Sequence, residues 1–298
     1  MKVIIVAGPT ATGKTELAVK IAKKFNGELI NADSRQVYKG LDVGTNKGAI
    51  TLEDSQYSIN EVPIHLINIV EPNERFSVFD FQHNALDKIK EISSRGRDPI
   101  IVGGTGLYID SIVRGYDLSS TNLKEREMLD GFTVSQLQNL ISSTTLDQLN
   151  NSDRNNPRRL VRIIEKGDIT KKSNLELGLN TFILYPMYNW DELKLKIDLR
   201  VDEMFNEGLI EETKGLLEKG YSEESDGLKI MGYKQVIEFL NKKIDLNTCK
   251  ERVKIAHKQY AKRQRTWFEG NGRNYNLNKY SDSSEALRLA ENFLINEN

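Results

Sequence analysis

The sequence has little of what a disulfide framework, a metal centre of histidines or a membrane span would need. Cys249 is the one cysteine in 298 residues, which excludes a disulfide within the chain and a cysteine-rich zinc site. The three histidines are scattered, which argues against a histidine metal cluster. No apolar run approaches the length of a membrane span, about 18 residues, and the N-terminus lacks the layout of a signal peptide. These absences predict a soluble, cytoplasmic protein.

A charge excess of either sign is also missing. The chain carries 42 basic and 43 acidic residues, so its net charge is -1. Overall charge therefore says nothing about nucleic acid, and any basic binding surface must be local. Hydrophobic residues make up 38% of the chain, which is enough for a sizeable core in one large domain or in one domain with an insertion.

Short apolar runs alternate with helical patterns along the chain. The predicted strands are "KVIIVA", "GELIN", "IHLINIV", "DPIIVGG" and "TFILYPMY". Helices are predicted at "KTELAVKIAKKF" and at "SVFDFQHNALDKIKEI", where Ser77 is a candidate N-cap. After Trp190 the pattern is mostly helical. This order predicts an α/β fold with a doubly wound parallel sheet and helices on both faces.

The segment "GPTATGKT" follows the first predicted strand directly and matches the phosphate-loop pattern G-x-x-x-x-G-K-[ST]. Glycines let backbone amides approach an anion, and the next helix directs its N-terminus at that anion. A glycine-rich tight turn is the alternative interpretation. The predicted phosphate-binding residues are Gly8, Thr10, Ala11, Thr12, Gly13, Lys14 and Thr15, of which Thr15 could also bind Mg²⁺.

A polar stretch after residue 117 interrupts the alternation of strands and helices, and the predicted domain boundaries follow from it. We predict a P-loop core whose first part is 1–117, a small helical insertion at 118–165, and a second part of the core at 166–298 that ends in helices.

Two further polar residues follow predicted strands. Asp33 ends "ELINAD" and could hold a metal, act as a base, or simply be the N-cap of a helix that begins at "RQVYKG". Thr105 follows "DPIIVGG". Open α/β sheets place their ligands at the carboxyl ends of the strands, where both residues are expected.

Seven segments occur in an order that resembles the tRNA dimethylallyltransferase family, over about residues 3–270. They are "GPTATGKT", "NADSRQVYKGLDVGTNK", "HLINIVEPNERFSVFDF", "GGTGLYIDSIVRGYD", "NPRRLVRIIE", "IMGYKQV" and "YAKRQRTWF".

The resemblance implies a prenyl transfer. The loop would bind the diphosphate of dimethylallyl diphosphate, and the prenyl group would pass to N6 of an adenine next to the anticodon, position 37, of a tRNA. It assigns Asp33 as the base, Thr105 to the leaving oxygen and Arg200 to the diphosphate, with Mg²⁺ as cofactor. The partners would be dimethylallyl diphosphate and the tRNA anticodon arm, and the enzyme would be a monomer.

The resemblance also implies a tRNA-binding set. Four basic residues share one helical face, Lys254, Lys258, Lys262 and Arg265, with the aromatic Tyr260, Trp267 and Phe268 interleaved. By pattern alone such a stripe is more often a solvated surface, and the resemblance reverses that interpretation. The set implied by the resemblance is Asp33, Ser34, Arg35, Gln36, Arg158, Arg159, Arg162, Lys229, Gly232, Tyr233, Lys234, Lys258, Lys262, Arg263, Gln264, Arg265 and Trp267.

The chain departs from the family's usual pattern at three positions. His257 and Lys258 stand where the family usually has Thr-Arg, and Glu269 stands where an arginine is common. Three rival functions remain open: prenylation of free adenine nucleotides, a small-molecule kinase that uses ATP, and an RNA-binding module with a vestigial loop.

Overall fold

The computed structural model describes residues 1–118, 128–129, 131–166, 175–270 and 275–295. The chain divides into two units. The larger comprises residues 1–113 and 177–298, and the smaller comprises residues 114–176. The predicted insertion at 118–165 falls within the smaller unit.

An eight-stranded sheet organises the larger unit, in the order β3-β4-β5-β2-β6-β1-β7-β8. The six strands from β5 to β8 are parallel, and β3 and β4 form an antiparallel edge. The strands are β1 Lys2–Ala7, β2 Gly27–Asn31, β3 Ile50–Glu53, β4 Gln56–Ile59, β5 Val62–His65, β6 Asp98–Gly103, β7 Asn180–Pro186 and β8 Leu277–Tyr280. The predicted parallel sheet is confirmed; the antiparallel edge and β8 were not predicted.

The described helices follow the sequence pattern closely. None of them combines the length and the apolar character that crossing a membrane requires. Their bounds are α1 Lys14–Phe25, α2 Val78–Ser94, α3 Gly106–Val113, α4 Val134–Asn139, α5 Ser143–Gln148, α6 Asn151–Arg154, α7 Pro157–Lys166, α8 Trp190–Asn206, α9 Leu209–Glu218, α10 Tyr233–Leu240, α11 Leu246–Glu269 and α12 Ser283–Ile295.

Helices cover both faces of the sheet, as the doubly wound prediction requires. Successive residues of a strand point to opposite faces, and β1 shows this directly. Ile4 packs with Leu17 of α1 and Ala290 of α12, whereas Ile5 packs with Ile89 of α2 in a second core. Both isoleucines are at most 1% exposed, so β1 is buried on both faces.

One predicted strand was placed too far along the chain. The run "IHLINIV" covers residues 64–70, but β5 ends at His65. Leu66 and Asn68 adopt left-handed backbone angles, with φ of 59° and 53°, which a strand does not accept. The chain therefore turns away from the sheet at Leu66, and the apolar Leu66 and Ile67 are buried outside the strand.

The helices between Trp190 and Glu269 build a third core. Met204 of α8, Tyr233 of α10 and Val253 of α11 pack together with Leu41 from the loop after β2. Cys249 also lies in this core, where burial raises the pKa of its thiol to about 11. Its thiol is therefore inert at neutral pH.

The smaller unit has an apolar core of its own. Leu129, Leu137, Ile141, Leu160 and Val161 pack together, so α4 and α7 bury their apolar faces within the unit. Its helices α4, α5 and α6 each begin at a residue whose side chain accepts a backbone N–H, which satisfies one otherwise unpaired amide per helix.

A buried carboxylate joins two strands to the turn between α2 and β6. Glu28 is 3% exposed. Its carboxylate is 2.6 Å from His65 Nε2 and accepts hydrogen bonds of 2.9 Å from each of Arg95 and Arg97. A buried carboxylate with three polar partners is stabilising only while the set is complete.

We expect Glu28→Gln to lower the free energy of unfolding by about 2 kcal/mol, because it removes a charged acceptor from two hydrogen bonds. Urea denaturation measures the change. Glu61→Gln is the matched control, since Glu61 is an exposed carboxylate 3.4 Å from Lys23, and its effect should stay below about 0.5 kcal/mol. Equal midpoints for the two variants would contradict the structural role of Glu28.

Candidate active site

Three polar segments meet at the carboxyl ends of adjacent strands. The phosphate loop follows β1, Asp33 follows β2, and Thr105 follows β6. Since β2, β6 and β1 are neighbours in the sheet, residues that are far apart in sequence come together at one edge. This is where open α/β sheets bind ligands.

The phosphate loop has the backbone geometry of an anion cradle. Gly8, Ala11 and Gly13 adopt positive φ angles of 146°, 64° and 76°. A Cβ on Gly8 would lie 2.9 Å from Cδ of Pro186, so glycine is required there. Gly13 precedes α1 and offers no capping side chain. The first amides of α1 are therefore directed at whatever anion the loop binds.

Lys14 lies between one acidic and one basic neighbour. Its ammonium donates a 2.5 Å hydrogen bond to the carbonyl of Pro9. Burial lowers the pKa of Lys14 to about 7; the nearby Asp33 opposes that shift, and Arg200 adds to it. Burial also lowers the pKa of Arg200, the residue of α8 that was predicted to bind diphosphate. Helix α8 packs against the loop through Ile197, which lies one turn before Arg200.

Asp33 is held by a turn of its own. One carboxylate oxygen, Oδ1, accepts the backbone N–H of Arg35 at 2.9 Å, and the Asp33 N–H donates to Oδ1 of the buried Asn31 at 3.1 Å. Asp33 therefore makes a capping bond, but residues 34–37 form a turn and not the helix that the N-cap alternative assumed. The capping bond uses Oδ1, and no hydrogen bond from the described residues occupies Oδ2.

Thr105 joins the ends of β2 and β6. Its hydroxyl oxygen accepts the N–H of Ser34 at 3.0 Å and donates to Oγ of Ser34 at 3.2 Å, and its own N–H donates to the carbonyl of Ala32 at 3.1 Å. These bonds fix the Asp33 turn against the start of α3.

Helix α11 is hydrogen-bonded to the phosphate loop through the side chain of Gln264, a residue that was predicted to bind tRNA. Its side-chain oxygen accepts the N–H of Thr10 at 2.9 Å, and its amide nitrogen donates to the carbonyl of Gly104 at 3.0 Å. Gln264 is 4% exposed. Its amide is already used inside the protein, so the structure replaces the predicted tRNA contact with a positioning role for the loop.

Trp267 and Tyr233, also in the predicted tRNA set, both make contacts within the protein. A Cβ on Gly106 would lie 2.2 Å from the Trp267 ring, and Trp267 Nε1 donates to the hydroxyl of Tyr275 at 2.9 Å. Tyr233 is fully buried and donates to Glu212 at 2.6 Å. The buried Tyr233 offers no surface to tRNA in this conformation, whereas the tRNA contact of the half-buried Trp267 stays a prediction.

Two residues near Asp33 were missed as site residues. The guanidinium carbon of Arg35 lies 3.4 Å from the centre of the Tyr260 ring. The buried His257 is one turn earlier on α11, and burial, with Arg35 and Arg200, lowers its pKa to about 3, so its ring is neutral. The available signal was their spacing, since Tyr260 is four residues and His257 seven residues before Gln264, which places all three on one side of α11.

The basic face of α11 is partly neutralised by α8. Lys254 pairs with Asp202 at 3.0 Å, and Lys258 pairs with Asp198 at 2.6 Å. Arg265 lies 3.2 Å from Glu269. In contrast, Lys262 and Arg263 are exposed. The four-residue spacing of Asp198 and Asp202 is a sequence signal for this pairing that the prediction did not use.

The other predicted tRNA residues of the larger unit are partly committed to internal bonds. Gln36 donates to the carbonyls of Thr45 and Asn46 at 3.1 Å each. Lys229 pairs with Glu224 at 3.1 Å, whereas Lys234 is exposed. The N–H of the buried Gly232 donates to the side chain of Gln235 at 2.8 Å.

The three predicted arginines of the smaller unit share helix α7. Arg158 is exposed, Arg159 pairs with Asp153, and Arg162 donates to the carbonyl of Asp117 at 3.3 Å. Arg162 also lies 3.4 Å from Glu165.

The described residues contain no group of three or more acidic, histidine or cysteine side chains that could enclose a metal. Mg²⁺ does not require such a group, since it commonly uses one or two protein ligands together with phosphate oxygens. The exposed Thr15, in the first turn of α1, fits this mode.

A phosphate loop beside a strand-end carboxylate and hydroxyl defines the class of P-loop α/β proteins. Comparison with known families narrows the class. The family described as IPP transferase matches residues 36–271, and the one described as isopentenyl transferase matches residues 1–56. The chain belongs to the IPP transferase family, which confirms the resemblance seen in the sequence.

Similar proteins agree with this membership. The chain is 38% identical to the tRNA dimethylallyltransferase of Caldanaerobacter subterraneus subsp. tengcongensis, over 90% of this chain and 89% of that protein. It is similar in structure to the full-length tRNA isopentenylpyrophosphate transferase of Bacillus halodurans, with a TM-score of 0.70, 34% identity, and coverage of 98% and 95%. A eukaryotic dimethylallyltransferase acting on tRNA gives a TM-score of 0.74 at 28% identity, covering 100% of this chain and 80% of that one.

Proposed function

We propose that the protein transfers the dimethylallyl group from dimethylallyl diphosphate to N6 of the adenine at position 37 of a tRNA, next to the anticodon, and releases diphosphate. The observation that carries the proposal is the meeting of the phosphate loop, Asp33 and Thr105 at adjacent strand ends, in a chain of the IPP transferase family. The proposal includes a monomeric, cytoplasmic enzyme.

The diphosphate end of the substrate would lie in the loop formed by Gly8–Thr15. As the bond between the prenyl C1 and the bridging oxygen breaks, negative charge grows on the diphosphate. Loop amides, Lys14 and Arg200 are fixed positive groups that stabilise this charge more in the transition state than in the ground state. When bound, Mg²⁺ would neutralise further diphosphate charge, with the Thr15 hydroxyl as its ligand.

The adenine amine would enter beside Asp33. The lone pair of N6 is delocalised into the ring, so the amine becomes a better nucleophile when a base takes its proton. N6 forms the new bond to C1, and its proton passes to Oδ2 of Asp33. The Thr105 oxygen is held in place by the N–H of Ser34, and its one O–H, which now donates to Oγ of Ser34, would turn to donate to the leaving oxygen.

A comparison of two labelled donors separates this reaction from an ATP-dependent kinase. We expect label from dimethylallyl diphosphate to enter tRNA and label from the γ-phosphate of ATP to remain off both tRNA and small-molecule acceptors. Phosphate transfer without prenyl transfer would overturn the proposal.

The basic face of α11 supplies a test of tRNA binding. Replacing Lys258, Lys262 and Arg265 together with Ala should weaken binding and flatten the plot of log affinity against log salt by about 0.7–0.9 per lost phosphate contact. Because Lys258 and Arg265 have acidic partners within the protein, we expect the Lys262→Ala single variant to account for the largest share. Equal slopes for wild type and triple variant would identify this face as solvated surface.

The lowered pKa of Lys14 predicts a pH dependence of substrate binding. Its ammonium is charged below about pH 7 and neutral above it, and an anionic ligand favours the charged form. The affinity for dimethylallyl diphosphate should therefore fall as the pH rises from 7.5 to 9, by at most tenfold per unit. Calorimetry at several pH values measures this. The Lys14→Met variant should lose the slope; an unchanged slope would exclude Lys14 as its source.

A further inference from the structure

One ring face of Tyr260 contacts Arg35, a residue of the Asp33 turn. The residue lies on α11 one turn before Gln264, whose two hydrogen bonds fix this part of the helix to the phosphate loop and to Gly104. Its side chain is half-buried. Burial and the nearby Asp33 raise the pKa of the Tyr260 hydroxyl, so the hydroxyl stays protonated at neutral pH.

The guanidinium of Arg35 occupies this face. Its central carbon lies 3.4 Å from the ring centre, which is van der Waals contact between planar groups. The backbone N–H of the same Arg35 donates to Oδ1 of Asp33. The gap that Arg35 fills over the ring is thus about as wide as one aromatic layer, and the residue that fills it is bonded through its backbone to the proposed base, Asp33.

We infer that this face of Tyr260 is the surface on which the target adenine stacks, and that Arg35 fills the gap until the base enters. The inference rests on the proposed function, since it assumes an unstacked adenine as the acceptor. An extruded base needs a planar apolar partner to replace its lost neighbours, and a tyrosine ring supplies one.

The exchange of Arg35 for adenine has a physical rationale. Stacking of a base on an aromatic ring contributes at least as much binding free energy as a partly exposed cation–π contact. The displaced guanidinium is then available to a phosphate of the anticodon arm, where it forms charge-assisted hydrogen bonds. Entry of the adenine therefore gives the Tyr260 ring a base to stack on and gives Arg35 a phosphate to bind.

A binding cycle with an abasic arm tests the stacking directly. The probes are an anticodon stem-loop with adenine at the target position and the same stem-loop with an abasic site there. The proteins are wild type, Tyr260→Leu, which removes the ring, and Tyr260→Phe, which keeps it. Phe79→Leu is the matched control, because Phe79 is an aromatic residue of α2, 50% exposed, that stacks on His83.

For wild type we expect the abasic arm to bind about 10-fold more weakly than the intact arm. Tyr260→Leu should weaken the intact arm by a similar factor and the abasic arm by less than twofold, while Tyr260→Phe and Phe79→Leu stay near wild type. Unchanged affinity of Tyr260→Leu for dimethylallyl diphosphate would show that it is folded. Equal weakening of both arms by Tyr260→Leu, or no discrimination by wild type, would overturn the inference.

The proposed function is checked separately in the same preparation. Transfer of the dimethylallyl group to the intact stem-loop by wild type reports on the reaction, whereas the binding cycle requires no turnover. A protein that discriminates the abasic arm but transfers nothing would contradict the proposed reaction and leave the stacking surface in place.

Discussion

Asp33→Asn should lower the single-turnover rate of prenyl transfer by about 10²–10⁴, the range of a lost general base. Asparagine keeps the shape of the side chain and an oxygen that can accept the N–H of Arg35, so the turn observed at Oδ1 survives. It cannot take a proton from N6. Rapid mixing of enzyme-bound dimethylallyl diphosphate with tRNA measures the step.

Asp54→Asn provides the control for that result. Asp54 lies in the turn between β3 and β4, at a φ of 47° that asparagine also tolerates. The single-turnover rate of the Asp54→Asn variant should equal that of wild type. An undiminished rate in Asp33→Asn would mean that Asp33 only holds the turn, and the base would have to be sought elsewhere.

The second large effect is expected at Lys14. Lys14→Ala removes a fixed cation from the phosphate loop, and loss of one such charge-stabilising group typically costs about 10²–10³ in rate. We expect turnover to fall by this factor while the dissociation constant for tRNA changes less than twofold. Steady-state kinetics and a filter-binding titration supply the two quantities.

Lys20→Ala is the matched variant for Lys14. Lys20 lies on the same helix and pairs with Glu16 at the surface, so its removal should alter neither quantity. A tRNA affinity that falls in parallel with turnover in Lys14→Ala would contradict the assignment of this lysine to the diphosphate.

Much of the fold could be predicted because its signals are local. The strand "KVIIVA" and the helix that begins at Lys14 follow from composition and spacing, and Ser77 caps α2 as expected, with Asp80 completing the capping box. The ends of β5 and the antiparallel edge could not be predicted in this way. They depend on left-handed residues such as Leu66 and Ser55, which the sequence does not mark with glycine.

The candidate site shows the same division. Gly8 and Lys14 were found from the phosphate-loop pattern, and Asp33 and Thr105 were found because each follows a buried strand. The role of Gln264 was missed because it depends on the packing of α11 against a loop more than 250 residues earlier. Sequence spacing gives the face of a helix but not the element that covers it.

Pairing across helices limited the prediction of the tRNA surface. The stripe that contains Lys258 looked like free positive charge, yet α8 places Asp198 against it. Tyr260 was noticed only as one aromatic among several, because its contact with Arg35 joins α11 to the turn after β2.

Nucleoside analysis of a tRNA after incubation with the protein and dimethylallyl diphosphate tests the central claim most directly. The account predicts one dimethylallyl group on N6 of the adenine next to the anticodon, an equal amount of released diphosphate, and no product when free adenosine monophosphate replaces the tRNA. An unmodified tRNA, or prenylation of the free nucleotide alone, would contradict it.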